Sequence, residues 1–176
     1  MKTRKATLAD AKAIARVHVD SWIATYRNIV PDTYLDQLSY EAREQLWKEN
    51  LKANNNFLAE NDNGEIIGFA DGGKERTGKY AALQGELYSI YILPEYQGKG
   101  IGRSLMKRVI EHLKESGRYS LLVWVLEENP SRAFYEKMGG KEVDRKTLSI
   151  SGKKLTEIAY GWEDIDQLKS CFEVTS

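Results

Sequence analysis

Apolar positions along the chain recur with two periods. Between residues 7 and 26, Ala11, Ile14, Ala15, His18 and Trp22 fall three or four apart, the spacing of one helix face. Thr7 followed by Asp10 opens that stretch close to a capping-box start. After "NIVPD", two shorter helical stretches are read over residues 32–38 and 39–53. "NFLAE" and "EIIGFADGG" flank the turn signal "NDNG" and predict a hairpin. "GELYSIYIL", rich in β-branched and aromatic residues, predicts a strand. Ile101, Leu105, Met106, Val109, Ile110 and Leu113 then form one apolar stripe, with Gly117 where a helix would stop. "YSLLVWVL" is almost continuously apolar, as a strand buried on both faces should be. "NPSRAFYEKMG" reads as a short helix, capped by Asn129 with Pro130 in its first turn. "KEVDRKTLSI" and "KLTEIAYGW" flank "SGK" as a closing hairpin. The order β, α, α, β, β, β, α, β, α, β, β predicts an α/β fold, one mixed α+β sheet with helices on its faces. It forms a single domain over residues 1–163, and residues 164–176 are read as a C-terminal tail.

Composition narrows the class. Lys and Arg number 26 and Asp and Glu 26, so the basic excess usual in a nucleic-acid binder is missing. Any acidic ligand must be met by a local cluster of positive charge. Cys171 is the single cysteine, which excludes an intrachain disulfide and a thiolate metal site, and no metal is expected. The N-terminus is polar and no apolar run reaches membrane-spanning length. The expectation is a soluble, cytoplasmic protein with no membrane or nucleic-acid partner.

The candidate chemistry lies in "PEYQGKGIG", residues 94–102, where three glycines follow a strand and open a helix. The first amides of a helix lack intrahelical partners and its dipole favours negative charge. Glycines allow the backbone to approach an anion closely. Lys99, Arg103 and Lys107 add local positive charge. The spacing fits neither the Gly-x-x-x-x-Gly-Lys-Ser/Thr phosphate loop nor Gly-x-Gly-x-x-Gly, since Arg103 stands where the third glycine would be. On the glycines alone, an anion site and a plain tight turn both remain open.

Two motifs in order carry a resemblance. "QGKGIG" matches Gln/Arg-x-x-Gly-x-Gly/Ala, the cofactor-loop signature of the GNAT superfamily of N-acetyltransferases, and "NPSRAFYEKMG" is similar to its second motif. The strand before the loop and the element order fit over residues 1–163. One departure is Gly140, where the family usually places Phe, which weakens a core contact.

The resemblance implies a central, mostly antiparallel sheet that splays at the cofactor site, with helices on both faces. It implies acetyl-CoA as cosubstrate. The pyrophosphate would sit on the loop Gln97, Gly98, Lys99, Gly100, Ile101, Gly102 and Arg103. The pantetheine arm would pair with Ile90, Tyr91 and Ile92, near Asn129. Tyr135 would protonate the departing thiolate, and the N–H of Ile90 would donate to the oxyanion if the strand bulges there. Glu86 is the general-base candidate; alternation puts it on one face with Tyr88, Ile90 and Ile92. The expected reaction is acetyl transfer to a primary amine, on a small molecule or a peptide, by direct attack. The alternative is a non-catalytic acetyl-CoA-binding module. The resemblance also allows a homodimer.

Other residues have plainer readings. His18 reads chiefly as a core histidine, with substrate contact as the alternative. His112 reads as solvated and Cys171 as inert. The segment 18–38 mixes Trp22, Tyr26 and Tyr34 with Asp20, Asp32 and Asp36, and is read as a candidate pocket for a cationic amine.

Overall fold

Seven strands hydrogen-bond in the order β1-β2-β3-β4-β5-β7-β6. The computed structural model describes residues 1–172. The strands are β1 (Lys2–Lys5), β2 (Asn56–Glu60), β3 (Ile66–Lys74), β4 (Gly85–Ile92), β5 (Leu121–Leu126), β6 (Lys141–Ile150) and β7 (Lys153–Trp162). The helices are α1 (Ala11–Tyr26), α2 (Asp32–Leu35), α3 (Tyr40–Asn50), α4 (Ile101–Glu115), α5 (Arg132–Lys137) and α6 (Lys169–Phe172). Only β4 and β5 run parallel; every other neighbouring pair is antiparallel.

The apolar stripe of α4 explains why it lies on one face. Leu105, Met106, Val109 and Leu113 are fully buried and pack with Phe57, Ala70, Leu87 and Val123 of the sheet. Val109 fits because β3 offers Gly72 beneath it, where a Cβ would come within 2.6 Å of Val109 Cγ1. On the other face, Ile14 and Val17 of α1 and Trp47 of α3 pack on Leu58 and Phe69. Burying such side chains supplies about 1.5–3 kcal/mol each.

Several boundaries differ from the pattern-based expectation. The first helix begins at Ala11, after a tighter 3-10 turn over Leu8–Asp10. Asp10 does accept the Thr7 N–H at 2.8 Å, but it also receives both Nη atoms of Arg4 at 2.8 Å, so its cap doubles as an ion pair. The stretch read over 32–38 is helical only to Leu35, and Ser39 caps α3 through the Ala42 N–H at 3.2 Å. Residues 164–172 are not a loose tail: Ile165 and Leu168 are fully buried beneath α4, and the Ile165 N–H bonds to the Tyr119 carbonyl at 2.9 Å.

Gly140 does not leave a gap either. A Cβ there would sit 2.7 Å from Cζ2 of Trp162, whose Nε1 donates to the Met138 carbonyl at 2.9 Å. The indole arriving from β7 fills the space, which corrects the expected loss of a core contact.

Candidate active site

The site begins where the parallel strands part. β4 and β5 pair only at Gly85–Leu87 against Leu121–Val123, although both run on, to Ile92 and Leu126. The gap between them opens into a cleft of about 930 Å³. That volume lies at the upper end of small-molecule sites, ~300–1,000 Å³.

A β-bulge sets the direction of β4's main-chain groups. Asp71 faces Ser89 and Gly72 faces Leu87, so Tyr88 is an extra residue without a partner on β3. Beyond it the Leu93 N–H bonds to the Ile67 carbonyl at 3.0 Å. Alternation therefore turns the groups of Tyr91 towards β3 and those of Ile90 and Ile92 towards the gap. The Ile92 carbonyl there accepts from Gln97 Nε2 at 3.0 Å. The groups of Ile90 and the N–H of Ile92 are left as an open strand edge for an extended ligand arm.

The cleft ends on the glycine loop. Gly98 and Gly100 have φ of 74° and 80°, the left-handed region that favours glycine. Among the described residues, the amides of residues 98–103 have no backbone acceptor, and α4's first turn closes only with the Ser104 N–H on the Gly100 carbonyl. Arg103 and Lys137 also line this end. The result is a nest of free N–H groups at a helix start, a fit for a phosphate group.

The opposite wall comes from α5 and the turn before it. Asn129 is tied at both ends: its Oδ1 accepts the Ser131 N–H at 2.9 Å and its Nδ2 donates to Tyr26 Oη at 3.0 Å. It thus shapes a turn ahead of the helix, whose N-cap is Ser131. Tyr135 lies in the core cluster as well as on the cleft, its ring 6.2 Å from that of Tyr160. Burial holds its hydroxyl pKa above the ordinary tyrosine value, so it stays protonated even where an exposed tyrosine would ionise.

On the sheet face towards α1, Ser21, Trp22, Tyr26, Tyr88 and Trp124 line the cleft together with one cation, Arg76, and one carboxylate, Glu157. The Arg76 side chain is 60% exposed, yet it is fixed. Its Nη2 donates to Glu86 Oε1 at 2.5 Å, its Nε to the same oxygen at 3.2 Å and its backbone N–H to Oε2 at 3.1 Å. Its guanidinium lies over the Tyr88 ring at 4.6 Å.

Residues 19–140 match the Acetyltransferase (GNAT) family. A Bacillus subtilis protein described as the uncharacterized N-acetyltransferase YuaI is 42% identical over 168 residues, 95% of either chain. The chain belongs to the GNAT family of acetyltransferases. It is also similar to the spermidine N(1)-acetyltransferase of Thermoplasma acidophilum, 28% identical over 82% of this chain and 90% of that one. The fold superimposes on yncA of Salmonella typhimurium, solved with its cofactor acetyl-CoA, with a TM-score of 0.70 at 21% identity over 92% of each chain.

Against this GNAT fold the sequence expectations sort clearly. Ile90, Tyr91, Ile92, Gln97, Gly98, Gly100, Gly102, Arg103, Asn129 and Tyr135 all line the cleft. Lys99 instead lies over the Tyr96 ring at 5.3 Å, and the Ile101 side chain is in the core, so these two offer only their amides. Glu86 is not brought to the cleft. The bulge breaks the alternation: Leu87, Ile90 and Ile92 pack towards α4, while Glu86 is 2% exposed with both oxygens occupied by Arg76. The acids of segment 18–38 also face elsewhere, Asp20 accepting from Tyr40 Oη at 2.6 Å and Asp32 pairing with Arg27 at 3.6 Å. Trp22 and Tyr26 do line the cleft; Tyr34 packs behind Trp22. His18 is half-buried among Trp47, Phe69 and Tyr91, accepting from Trp47 Nε1 at 3.0 Å, and burial lowers its pKa to about 4. His112 is half-buried beside Phe57, not fully solvated. Cys171 packs part-buried against the α4 cluster.

Sequence reasoning missed Arg76 and Glu157. Nothing in "GKERTGK" distinguishes one cation from the next. Glu157 did carry a signal: it stands on one strand face among Leu155, Ala159 and Gly161, an acid in an otherwise apolar row.

Ser89, on the cleft, donates to the buried Asp71 carboxylate, whose pKa burial pushes up to about 6. An unfolded aspartate titrates near ~4. Between those values the folded protein keeps a proton that the unfolded chain has lost. This stabilising contribution is complete below pH ~4 and disappears as the pH rises through 6. Asp71→Asn, which keeps an acceptor for Ser89, is expected to raise stability at pH 8 by about 3 kcal/mol and to flatten the loss between pH 4 and 6. Urea denaturation at pH 4.5 and 8 checks this; equal midpoint shifts at both would disprove it.

Proposed function

We propose that this GNAT protein transfers the acetyl group of acetyl-CoA to a primary amine by direct attack. The observation that carries this reading is the continuity of the cleft: an open strand edge at the Ile90 groups and the Ile92 N–H leads to the unpartnered amides of residues 98–103. Bound acetyl-CoA would supply an activated acetyl thioester. Its phosphates suit the loop amides with Arg103 and Lys137, and its pantetheine arm suits the edge of β4.

The chain's own residues take three roles. The Ile90 N–H, aimed into the gap by the bulge, donates to the thioester oxygen as charge develops there. The amine nitrogen bonds to the carbonyl carbon as the carbon–sulfur bond breaks. Tyr135 then gives its proton to the departing thiolate and regains one from water, while the nitrogen, once bonded to the acetyl carbon, releases its extra proton to water. Glu86 is assigned to holding Arg76 rather than to taking the amine's proton.

Calorimetry with coenzyme A, NAD and ATP tests the donor, and release of free thiol from acetyl-CoA in the presence of amines tests the transfer. Coenzyme A binding in preference to the two nucleotides, with amine-dependent thiol release, is expected. Tight NAD binding without coenzyme A binding would overturn the donor. Binding without turnover on any amine would leave a non-catalytic module.

A further inference from the structure

Arg76 and Glu157 are the charged side chains on the α1 side of the cleft, away from the cationic loop. An exposed arginine ordinarily samples many rotamers, and its surface ion pairs contribute little. Arg76 is different, because it rides on a carboxylate that is itself buried. Taking Glu86 out of water is costly, and Arg76 already offers it three donors. With Nε and Nη2 committed to Glu86, the guanidinium is held against Tyr88 and its Nη1 makes no hydrogen bond among the described residues. That is a pre-oriented cationic edge on the cleft wall.

Glu157 lies across the gap. β7 pairs Glu157 with Leu126 and Ala159 with Trp124, so the carboxylate sits on the same face as the Trp124 indole. Its one ionic partner, Lys146 at 3.2 Å, is half exposed. Ser21 Oγ on α1, which also lines the cleft, is buried with no hydrogen-bond partner among the described residues. The wall thus offers a fixed cation, a carboxylate and an orphan hydroxyl.

The geometry points to a small amino-acid-like acceptor, an amine that also bears a carboxylate, with the carboxylate on Arg76 and the ammonium directed by Glu157. This rests on the acetyl-transfer reading above. It sets aside polyamines, which offer Arg76 only like charge.

The test compares methionine, methioninamide, 3-(methylthio)propylamine and spermidine as acceptors, reading free thiol released from acetyl-CoA. A charge-assisted pair is worth about 10–100-fold. The kcat/KM for methionine should exceed that for the amide and the decarboxylated amine by that factor. Arg76→Lys keeps a charge for Glu86 but loses the fork, so it should cut the preference to within about threefold, through KM, and leave coenzyme A affinity unchanged. Glu157→Gln should raise KM for all four amines alike. Equal or better use of the amide, the amine or spermidine overturns the inference while acetyl transfer stands. So does a methionine preference that survives Arg76→Lys. Absence of thiol release with every acceptor, coenzyme A still binding, overturns both.

Discussion

Tyr135→Phe lowers kcat by ~10²–10⁴-fold, the range for loss of a positioned general acid, and leaves the dissociation constant for coenzyme A nearly unchanged. The ring stays because it is held by packing against Phe134, Tyr160 and Trp162. Only the hydroxyl goes, and burial, by raising its pKa above the ordinary tyrosine value, widens the pH range over which it carries a proton to give. For the same reason the wild-type rate should not fall through loss of this proton until the pH exceeds the ordinary tyrosine range, above ~10. Single-turnover rates and coenzyme A titrations of both proteins check the split. A kcat within fivefold of wild type would remove Tyr135 from the chemistry.

Gly100→Val weakens coenzyme A binding by at least ~10-fold, whereas Gly102→Ala leaves it nearly intact. The two glycines differ in kind. At Gly100, φ is 80°, and a left-handed conformation costs a non-glycine residue about 1–2 kcal/mol. A Cβ there meets no protein atom within 4 Å, so the cost of a side chain is the backbone strain and the change it forces on the loop amides that line the cleft. At Gly102 a Cβ would rest 3.5 Å from Ile92 Cδ1 and from the Phe134 ring, ordinary contact. Calorimetry on the two variants reads the difference directly. Equal affinities would mean that the loop amides do not hold the phosphates.

The glycine loop and α4 were legible in the sequence because their causes are local. A helix stripe depends only on spacing, and a cluster of glycines marks where the backbone is free to take a positive φ, as Gly98 and Gly100 do. The facing of Glu86 was not legible, because the phase of β4 is set by its register with β3. One unpaired residue, Tyr88, turns Glu86 away from Ile90, and alternation along one strand cannot reveal that. The roles of Asp20 and Asp32 failed for a related reason. The partner of Asp20, Tyr40, lies outside the segment and arrives as α3 folds back on α1, whereas Asp32 pairs with Arg27, a cation inside the segment that the pocket reading left out. Residues 164–172 look polar in sequence, and two apolar positions, Ile165 and Leu168, were enough to bury the turn under α4.

The meeting of Gly140 and Trp162 carries a consequence for how this chain can change. The missing side chain in one motif and the indole on β7 occupy one volume, so the two positions are epistatic. A bulky residue restored at 140 collides with the indole, and a small residue at 162 opens a cavity beside the ring of Tyr135. Each single change is expected to cost stability, and a paired exchange to recover part of that cost. Glycine at 140 and tryptophan at 162 therefore act as one packing unit, and changing either alone would place a stability defect next to Tyr135, in the wall of the active site.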